Sequence, residues 1–170
     1  ATRIVEFSDL YIAELNDRDR LLTAEITQYV FPSYKQKGYI TKKEFLTVCE
    51  WKTSRTKPWC ASNDAGYIRE ISSLVRTTAS DQLRIHLWTL LAGVQWPTAS
   101  VFVHFAFADR YPILDTNALW SLSTTVPAQY DFPFWKGYTE FCRNLAHSAG
   151  VSMRELDQAL WKYADVSPEM

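Results

Sequence analysis

The residues that mark special classes of protein are scarce in this chain of 170 residues. Three cysteines at long spacings, Cys49, Cys60 and Cys142, form no C-x-x-C pair, which excludes a disulfide scaffold and a cysteine zinc motif and predicts buried, reduced thiols. Only five glycines and no long alternation of apolar and polar residues argue against a β-sheet protein. No residue pattern calls for a metal or a cofactor.

Long apolar runs and a leader segment are also missing. No run reaches the roughly 20 apolar residues that a membrane-spanning helix needs, so we expect no membrane partner. Residues 1–7 lack the basic, apolar and small-residue regions of a signal peptide, so we expect a cytoplasmic protein. A hydrophobic fraction of 47% with a formal net charge of -1 excludes intrinsic disorder.

Charge is distributed unevenly along the chain. The net charge near zero is not typical of a protein that coats nucleic acid. Yet residues 34–57 hold seven basic and two acidic residues, and the stretch ends in Lys52, Arg55 and Lys57. Lys52–Pro58 is polar and is predicted to be a loop. These three side chains are therefore either phosphate contacts or ordinary solvated residues of this loop.

Helix-period patterns recur from Leu21 onward and predict about eight helices. In the first half of the chain, the predicted helices are one that ends at Pro32, one after the capping box Thr41–Glu44, one from Asn63 or Asp64, and one from Ser80 or Asp81 whose apolar stripe is Leu83, Leu87, Leu90 and Leu91. In the second half, they are a buried helix at Thr98–Phe107, a short helix capped by Asp115, a long helix from Asp131 to Gly150, and a helix after the capping box Ser152–Glu155. We therefore predict an all-α fold, with residues 1–170 forming a single compact helical domain of two small lobes.

The most informative segment is residues 81–123, the predicted core of the site. A helix ends at Gly93, Pro97 suits the first turn of the next helix, and an extended loop then leads to Asp115. Backbone amides at such a turn and helix start can bind a phosphate without a basic side chain. The aromatic residues Trp96 and Tyr111 flank these features and are candidates for stacking on bases.

This arrangement resembles the helix-hairpin-helix DNA glycosylase superfamily, whose pattern runs L-P-G-V-G-x-x-T-A and later P-V-D-T. The matching residues here are Leu91, Gly93, Val94, Thr98 and Ala99, followed by Ile113, Asp115 and Thr116. The chain is also similar to an uncharacterised bacterial family that shares the core Gly93–Ser100. The resemblance covers residues 81–123 and implies a helix-hairpin-helix glycosylase-like fold.

The resemblance implies DNA binding and base excision repair by hydrolysis of the N-glycosidic bond of a damaged base. Asp115 would be catalytic, stabilising the positive charge that develops on the sugar and orienting the attacking water. Gly93, Val94, Gln95 and Thr98 would hold a DNA phosphate. Any activity would be monofunctional, because the lysine that gives some members lyase activity is replaced by Pro97.

Other interpretations remain open at this point. Gln95 stands where the superfamily pattern has its second glycine, and the four-cysteine cluster of some members is absent. Asp115 is either an activated carboxylate or an ordinary helix N-cap. The alternative function is a non-catalytic protein that uses the helical scaffold for DNA or protein contacts. An enzyme acting on a small metabolite has no residue that favours it, and the sequence leaves the oligomeric state open.

Overall fold

The structure is a computed structural model that describes residues 2–167, and the regular secondary structure in this range is all helical, with no β-strand. Eleven α-helical segments follow one another. They are α1 Thr2–Ala13, α2 Asp17–Glu25, α3 Phe31–Lys37, α4 Lys42–Lys52, α5 Lys57–Ser62, α6 Ala65–Thr77, α7 Asp81–Thr89, α8 Trp96–Ala106, α9 Thr116–Ser121, α10 Phe132–Ala149 and α11 Met153–Val166. The predicted all-α class is confirmed, and no helix in this range is both long and apolar enough to cross a membrane.

The predicted number of helices is wrong, and three segments account for the difference. α1 precedes the first predicted helix. α5 and a 3-10 turn at Ser54–Thr56 occupy much of the predicted loop Lys52–Pro58, because a proline in the first helical turn sacrifices no hydrogen bond. α3 continues past Pro32, where the helix was expected to stop.

A π-helical turn explains how the helix passes Pro32. Residues Ile26–Val30 join α2 to α3, and the N–H of Phe31 donates to the carbonyl of Ile26, five residues back. The widened turn restarts the helix, so Pro32 falls in the first turn of α3, where its missing N–H leaves no acceptor unsatisfied. A sequence pattern with a 3.6-residue period does not reveal such a turn.

The caps and segment order expected from sequence are present. Thr41 and Ser152 form reciprocal capping boxes with Glu44 and Glu155. The order predicted for residues 81–123 is also observed: helix, glycine turn, buried helix, extended segment at 111–115 and short helix.

The residues group into two compact units, and the boundary divides the predicted core at 81–123. Among the described residues, one unit joins residues 2–15 to residues 107–167, and the other is Asn16–Ala106. The hairpin and α8 therefore belong to the Asn16–Ala106 unit. Asp115 and α9 belong to the unit built from both ends of the chain.

The core of the Asn16–Ala106 unit is centred on α8, whose residues are buried from Thr98 to His104. Phe102 stacks on Trp88 of α7 at a ring-centroid distance of 4.1 Å and on Phe45 of α4 at 5.6 Å. His104 is buried with its ring edge-on to Phe105. Aromatic stacking of this kind fills the interior that the largely apolar segment Thr98–Phe107 predicts.

The predicted apolar face of α7 is only partly correct. Among the apolar residues of α7 and the turn after it, Ile85, Trp88 and Leu91 are buried, whereas Leu83 and Leu90 are exposed. The indole of Trp88 packs on Phe102 of α8, so Trp88 occupies the position that the leucine pattern assigned to leucines. The periodicity identified the helix, and the packing partner decided which of its two apolar stripes is buried.

In the other unit, α1 packs along α11, and α11 also packs on α9. Ser8 donates to Gln158 Oε1 at 2.8 Å, both side chains being buried, and the buried Lys162 ammonium binds Glu14 and Asp165. These polar contacts pair groups that would otherwise be costly to bury. They attach the first helix of the chain to the last.

Candidate functional site

α7 and α8 are joined by the glycine turn that the sequence predicts. The N–H of Val94 donates to the carbonyl of Leu91 at 3.1 Å, and α8 begins at Trp96. Gly93 has φ +80°, a conformation that strains residues with a Cβ atom. The backbone of this turn therefore requires glycine at position 93.

Gln95 replaces the second glycine of the superfamily pattern without backbone strain. Within residues 2–167, the non-glycine residues with positive φ are Asp109 and Ser123, so Gln95 has an ordinary conformation. Its side chain is exposed. The turn therefore tolerates a side chain at this position.

The residues expected to hold a phosphate differ in what they can offer. Val94 and Thr98 have buried side chains, so a ligand could meet only their backbone groups. The N–H of Val94 is already used within the turn. Thr98 lies in the first turn of α8, where N–H groups lack an acceptor from their own helix. Val94 is accordingly the weakest of the four candidates as a donor.

A segment distant in sequence packs directly on the hairpin glycine. A Cβ atom built on Gly93 would lie 2.7 Å from the sulfur of Cys60, 2.9 Å from its backbone nitrogen and 3.2 Å from the carbonyl oxygen of Thr56. These two residues belong to α5 and to the 3-10 turn before it. The absence of a side chain at position 93 therefore permits the segment that carries Lys52, Arg55 and Lys57 (the basic segment) to approach the α7–α8 turn around Gly93 (the hairpin) closely.

The side chain of Asn63 fastens this contact. Its amide nitrogen donates to the carbonyl of Ala92 at 2.9 Å, and its amide oxygen accepts from the N–H of Ala92 at 2.8 Å. The same amide nitrogen also donates to the carbonyl of Cys60 at 3.0 Å. Asn63 is buried, so these hydrogen bonds are shielded from water and hold α5 against the hairpin.

The thiol that lies against the turn is that of Cys60. Cys49 and Cys60 are both buried, and the Cys60 thiol donates to the hydroxyl of Thr56 at 3.6 Å. Interaction with the Cys60 thiol, together with burial, raises the pKa of Cys49, whereas interaction with the Cys49 thiol lowers the pKa of Cys60. The expectation of buried, reduced thiols agrees with the structure, in which Cys142 is also free and buried.

The basic side chains of the segment face water to different degrees. Lys52 is half-buried, whereas Arg55 and Lys57 are exposed. The Lys57 ammonium pairs with Glu50 at 3.5 Å, and hydrogen bonding from Arg18, followed by the charge of Lys57, lowers the pKa of Glu50. An exposed pair of this kind is weak, so Lys57 can exchange its carboxylate for a phosphate.

The aromatic candidates are placed very differently. Tyr111 is fully buried and stacks on Trp135 at a ring-centroid distance of 5.4 Å, so it offers no ring face to a base. Trp96 is half-buried, with its indole edge-on to His86 at 5.0 Å. Trp59 in α5 is by contrast 61% exposed.

Asp115 lies at the N-terminus of α9, as the sequence predicts. Its carboxylate accepts a hydrogen bond from the N–H of Asn117 at 2.9 Å, and the residue is partly exposed. It is therefore an N-cap whose carboxylate is not sealed in the interior. Both roles considered for this residue, cap and reactive carboxylate, are compatible with this geometry.

Two buried residues that sequence reasoning missed hold the segment before Asp115. The carboxylate oxygens of Asp157 each accept from the N–H of Ile113 at 3.2 Å, and the hydroxyl of Tyr138 donates to the carbonyl of Ile113 at 2.8 Å. Burial is the main cause of the raised pKa of Tyr138. No local signal marks these residues, because they lie 44 and 25 positions away from Ile113.

Tyr130 is one residue that responds to the charge of Asp115. Burial, followed by the negative charge of Asp115, raises the pKa of Tyr130. Within residues 2–167 no group of three or more His, Cys, Asp or Glu side chains is arranged to hold a metal ion. The chemistry available here is that of a partly exposed carboxylate, Asp115, whose preceding segment is held by the buried Asp157 and Tyr138.

No protein-family model matches this chain, and no significant match is found among curated proteins or solved structures.

Proposed function

We propose that the protein binds DNA through its hairpin and basic segment, and that it is a monofunctional DNA glycosylase with Asp115 as the catalytic residue. The observation that carries the proposal is the packing of Thr56 and Cys60 on Gly93. The residues on either side of Thr56 are the exposed cations Arg55 and Lys57, and the helix start that follows the turn can bind a phosphate. Neither feature alone would favour DNA over another anionic partner.

The geometry of Asp115 supports the catalytic part of the proposal. Cleavage of an N-glycosidic bond develops positive charge on the sugar, which a fixed carboxylate stabilises. The hydrogen bond from Asn117 and the fastening of Ile113 by Asp157 fix the position of this carboxylate. A base must leave the duplex stack before such a group can act on its sugar.

A second candidate function rests on two exposed leucines, one in α7 and one at its C-terminal end. Leu83 in α7 and Leu90, the residue that follows its last turn, are both exposed. An exposed apolar stripe is a feature of protein contact surfaces. A non-catalytic scaffold that binds a protein partner would use this face rather than the hairpin.

The salt dependence of DNA affinity tests the proposed interface. We expect the full chain to bind normal, abasic and damaged duplexes with an affinity that falls steeply as salt rises, since each phosphate contact contributes about 0.9 to the logarithmic slope. Lys57→Ala should lower the slope by about 1. Lys136→Ala is the matched control, because Lys136 is an exposed lysine paired with Glu140 in the other unit.

The two lysines have nearly equal side-chain exposure, 62% and 60%, so their removal changes net charge equally. Equal slopes for the two variants would place the phosphates away from Lys57 and contradict the interface. Binding that does not respond to salt would contradict DNA binding itself. If Leu83→Lys abolished binding to a protein partner and left DNA binding unchanged, the second candidate function would be favoured.

A further inference from the structure

We propose that Trp59 is the base-stacking residue of this interface, and that the preferred ligand is DNA with an unpaired base beside the hairpin. This inference rests on the proposed DNA binding and adds to it the residue and the substrate class. The residue lies in α5, the helix that packs on Gly93.

The exposure of Trp59 distinguishes it from the other tryptophans. Trp59 is 61% exposed, and no aromatic ring within residues 2–167 stacks on its indole. Trp88 and Trp135 are buried, and Trp161, although 37% exposed, lies edge-on to Tyr11. A single exposed apolar residue is ordinary by itself, so the argument depends on where this one lies.

The backbone that carries Trp59 is held in place on both sides. Its carbonyl accepts from the hydroxyl of Ser62 at 2.6 Å, and the next residue, Cys60, lies against Gly93. The amide of Asn63 ties the end of α5 to Ala92 of the hairpin. Trp59 thus presents an exposed indole from a backbone that is fixed by hydrogen bonds and packing. A fixed backbone lowers the conformational entropy lost when a ligand binds the indole.

The charge around Trp59 selects the kind of ligand. Lys57 precedes it by two residues and Arg55 by four, and both side chains are exposed. Cationic side chains next to an exposed aromatic ring form the usual platform for a single nucleic-acid strand, in which the backbone meets the cations and a base stacks on the ring. A fully paired duplex hides its base faces, so the indole would distinguish unpaired from paired DNA.

The test compares labelled oligonucleotides that differ in base exposure: a single strand, a duplex with one bulged base and the fully paired duplex. We expect the full chain to bind the first two more tightly than the paired duplex. Trp59→Ala should lose about tenfold in affinity for them and little for the paired duplex, since stacking contributes about 1–3 kcal/mol per base. Trp59→Phe should retain most of the affinity because it keeps an aromatic face.

Tyr29→Ala is the matched control, because Tyr29 is a 69% exposed aromatic residue of the same unit that lies outside α5 and the hairpin. It should bind all three DNAs as the unchanged chain does. Thermal unfolding should be the same for every variant, because the replaced rings are exposed.

Three results would overturn the inference. If the unchanged chain binds none of the DNAs, the proposed function fails and the stacking role fails with it. If the chain binds DNA with the expected salt dependence but Trp59→Ala binds equally well, DNA binding stands and the stacking role fails. If Trp59→Ala weakens binding to paired and unpaired DNA equally, the indole contacts something other than an exposed base face, such as the backbone.

Discussion

The hairpin around Gly93 and the loop that ends at Asp115 are held by different kinds of interaction. The hairpin depends on close packing and on a neutral amide: Cys60 fills the space that a side chain at Gly93 would need, and Asn63 bonds to Ala92. The loop depends on a buried carboxylate, that of Asp157. A change in volume should therefore harm the hairpin most, and a change in charge should harm the Asp115 region.

The largest effect is expected from a single methyl group in the hairpin. In Gly93→Ala the new Cβ atom would lie 2.9 Å from the backbone nitrogen of Cys60, and the alanine would have to adopt the positive φ of the turn. We therefore expect the free energy of unfolding to fall by about 3 kcal/mol. Gly38→Ala provides the control. Gly38 has the same φ of +80° but nothing within 4 Å of its Cβ position, so the cost there should be about 1 kcal/mol.

Urea unfolding of the two variants separates crowding from backbone conformation. A loss at Gly93 that exceeds the loss at Gly38 measures the contact with Cys60. Equal losses would show that α5 moves away from the hairpin at little cost, and the basic segment would then not be held beside the turn.

The same contrast explains what the sequence could predict. Gly93, Asp115 and the capping boxes carry local signals, because a turn or a cap depends on residues within four positions. The attachment of α5 to the hairpin carries none, since Asn63 lies 29 residues from Ala92. Long-range hydrogen bonds of this kind appear only once the fold brings the segments together.

Burial of aromatic residues was equally hidden from the sequence. Tyr111 and Trp59 look alike as single aromatic residues next to polar stretches, yet one is fully buried and the other is exposed. Which ring enters the core depends on a partner, such as Trp135 for Tyr111. Stacking roles could therefore be proposed from sequence but not allotted among the aromatic residues.

On the charge-dependent side, the decisive change is Asp115→Asn. The amide oxygen can still accept from the N–H of Asn117, so folding should stay near that of the unchanged chain, while base release should fall at least tenfold. Asp64→Asn is the matched control, since Asp64 is the N-cap of α6 and accepts from Gly66 and Tyr67. Measured base release that is unchanged in Asp115→Asn would remove this carboxylate from the mechanism.

A smaller effect should distinguish the two capping boxes by their response to acid. Burial opposes ionisation of Glu44, but hydrogen bonds from Lys37 and Thr41 outweigh it and lower the pKa of Glu44. Hydrogen bonds from Ser152 lower the pKa of Glu155, which has no lysine in its box. A lowered pKa in the folded state means that the stabilisation is complete above the ordinary glutamate pKa of about 4.3 and is lost as pH falls through the folded value.

Chemical unfolding at pH 7 and near pH 3 measures this difference. Glu44→Gln should cost about 1 kcal/mol at pH 7, and the cost should decrease as the pH falls and the carboxyl group of the unchanged chain becomes protonated. Glu155→Gln should show the same sign with a smaller change. A cost for Glu44→Gln that does not vary with pH would mean that its charge contributes nothing beyond the shape of the cap.

The last prediction is an absence of effect: borohydride should trap no covalent complex between the protein and DNA. Strand cleavage by a lyase needs an amine that attacks the sugar and forms a Schiff base. Pro97 stands where the superfamily pattern has its lysine, and the nitrogen of Pro97 belongs to the backbone amide.

Lys57 is the nearest alternative amine. It lies about 40 residues from Pro97 in the sequence, but the contact of Thr56 with Gly93 brings the segment of Lys57 alongside the turn. Lys57 is nevertheless an exposed ammonium paired with Glu50, whereas a Schiff-base lysine needs a desolvated, neutral amine. We therefore expect an abasic strand that stays intact until alkali is added, and a trapped complex that disappears in Lys57→Ala would show that DNA binding desolvates this amine.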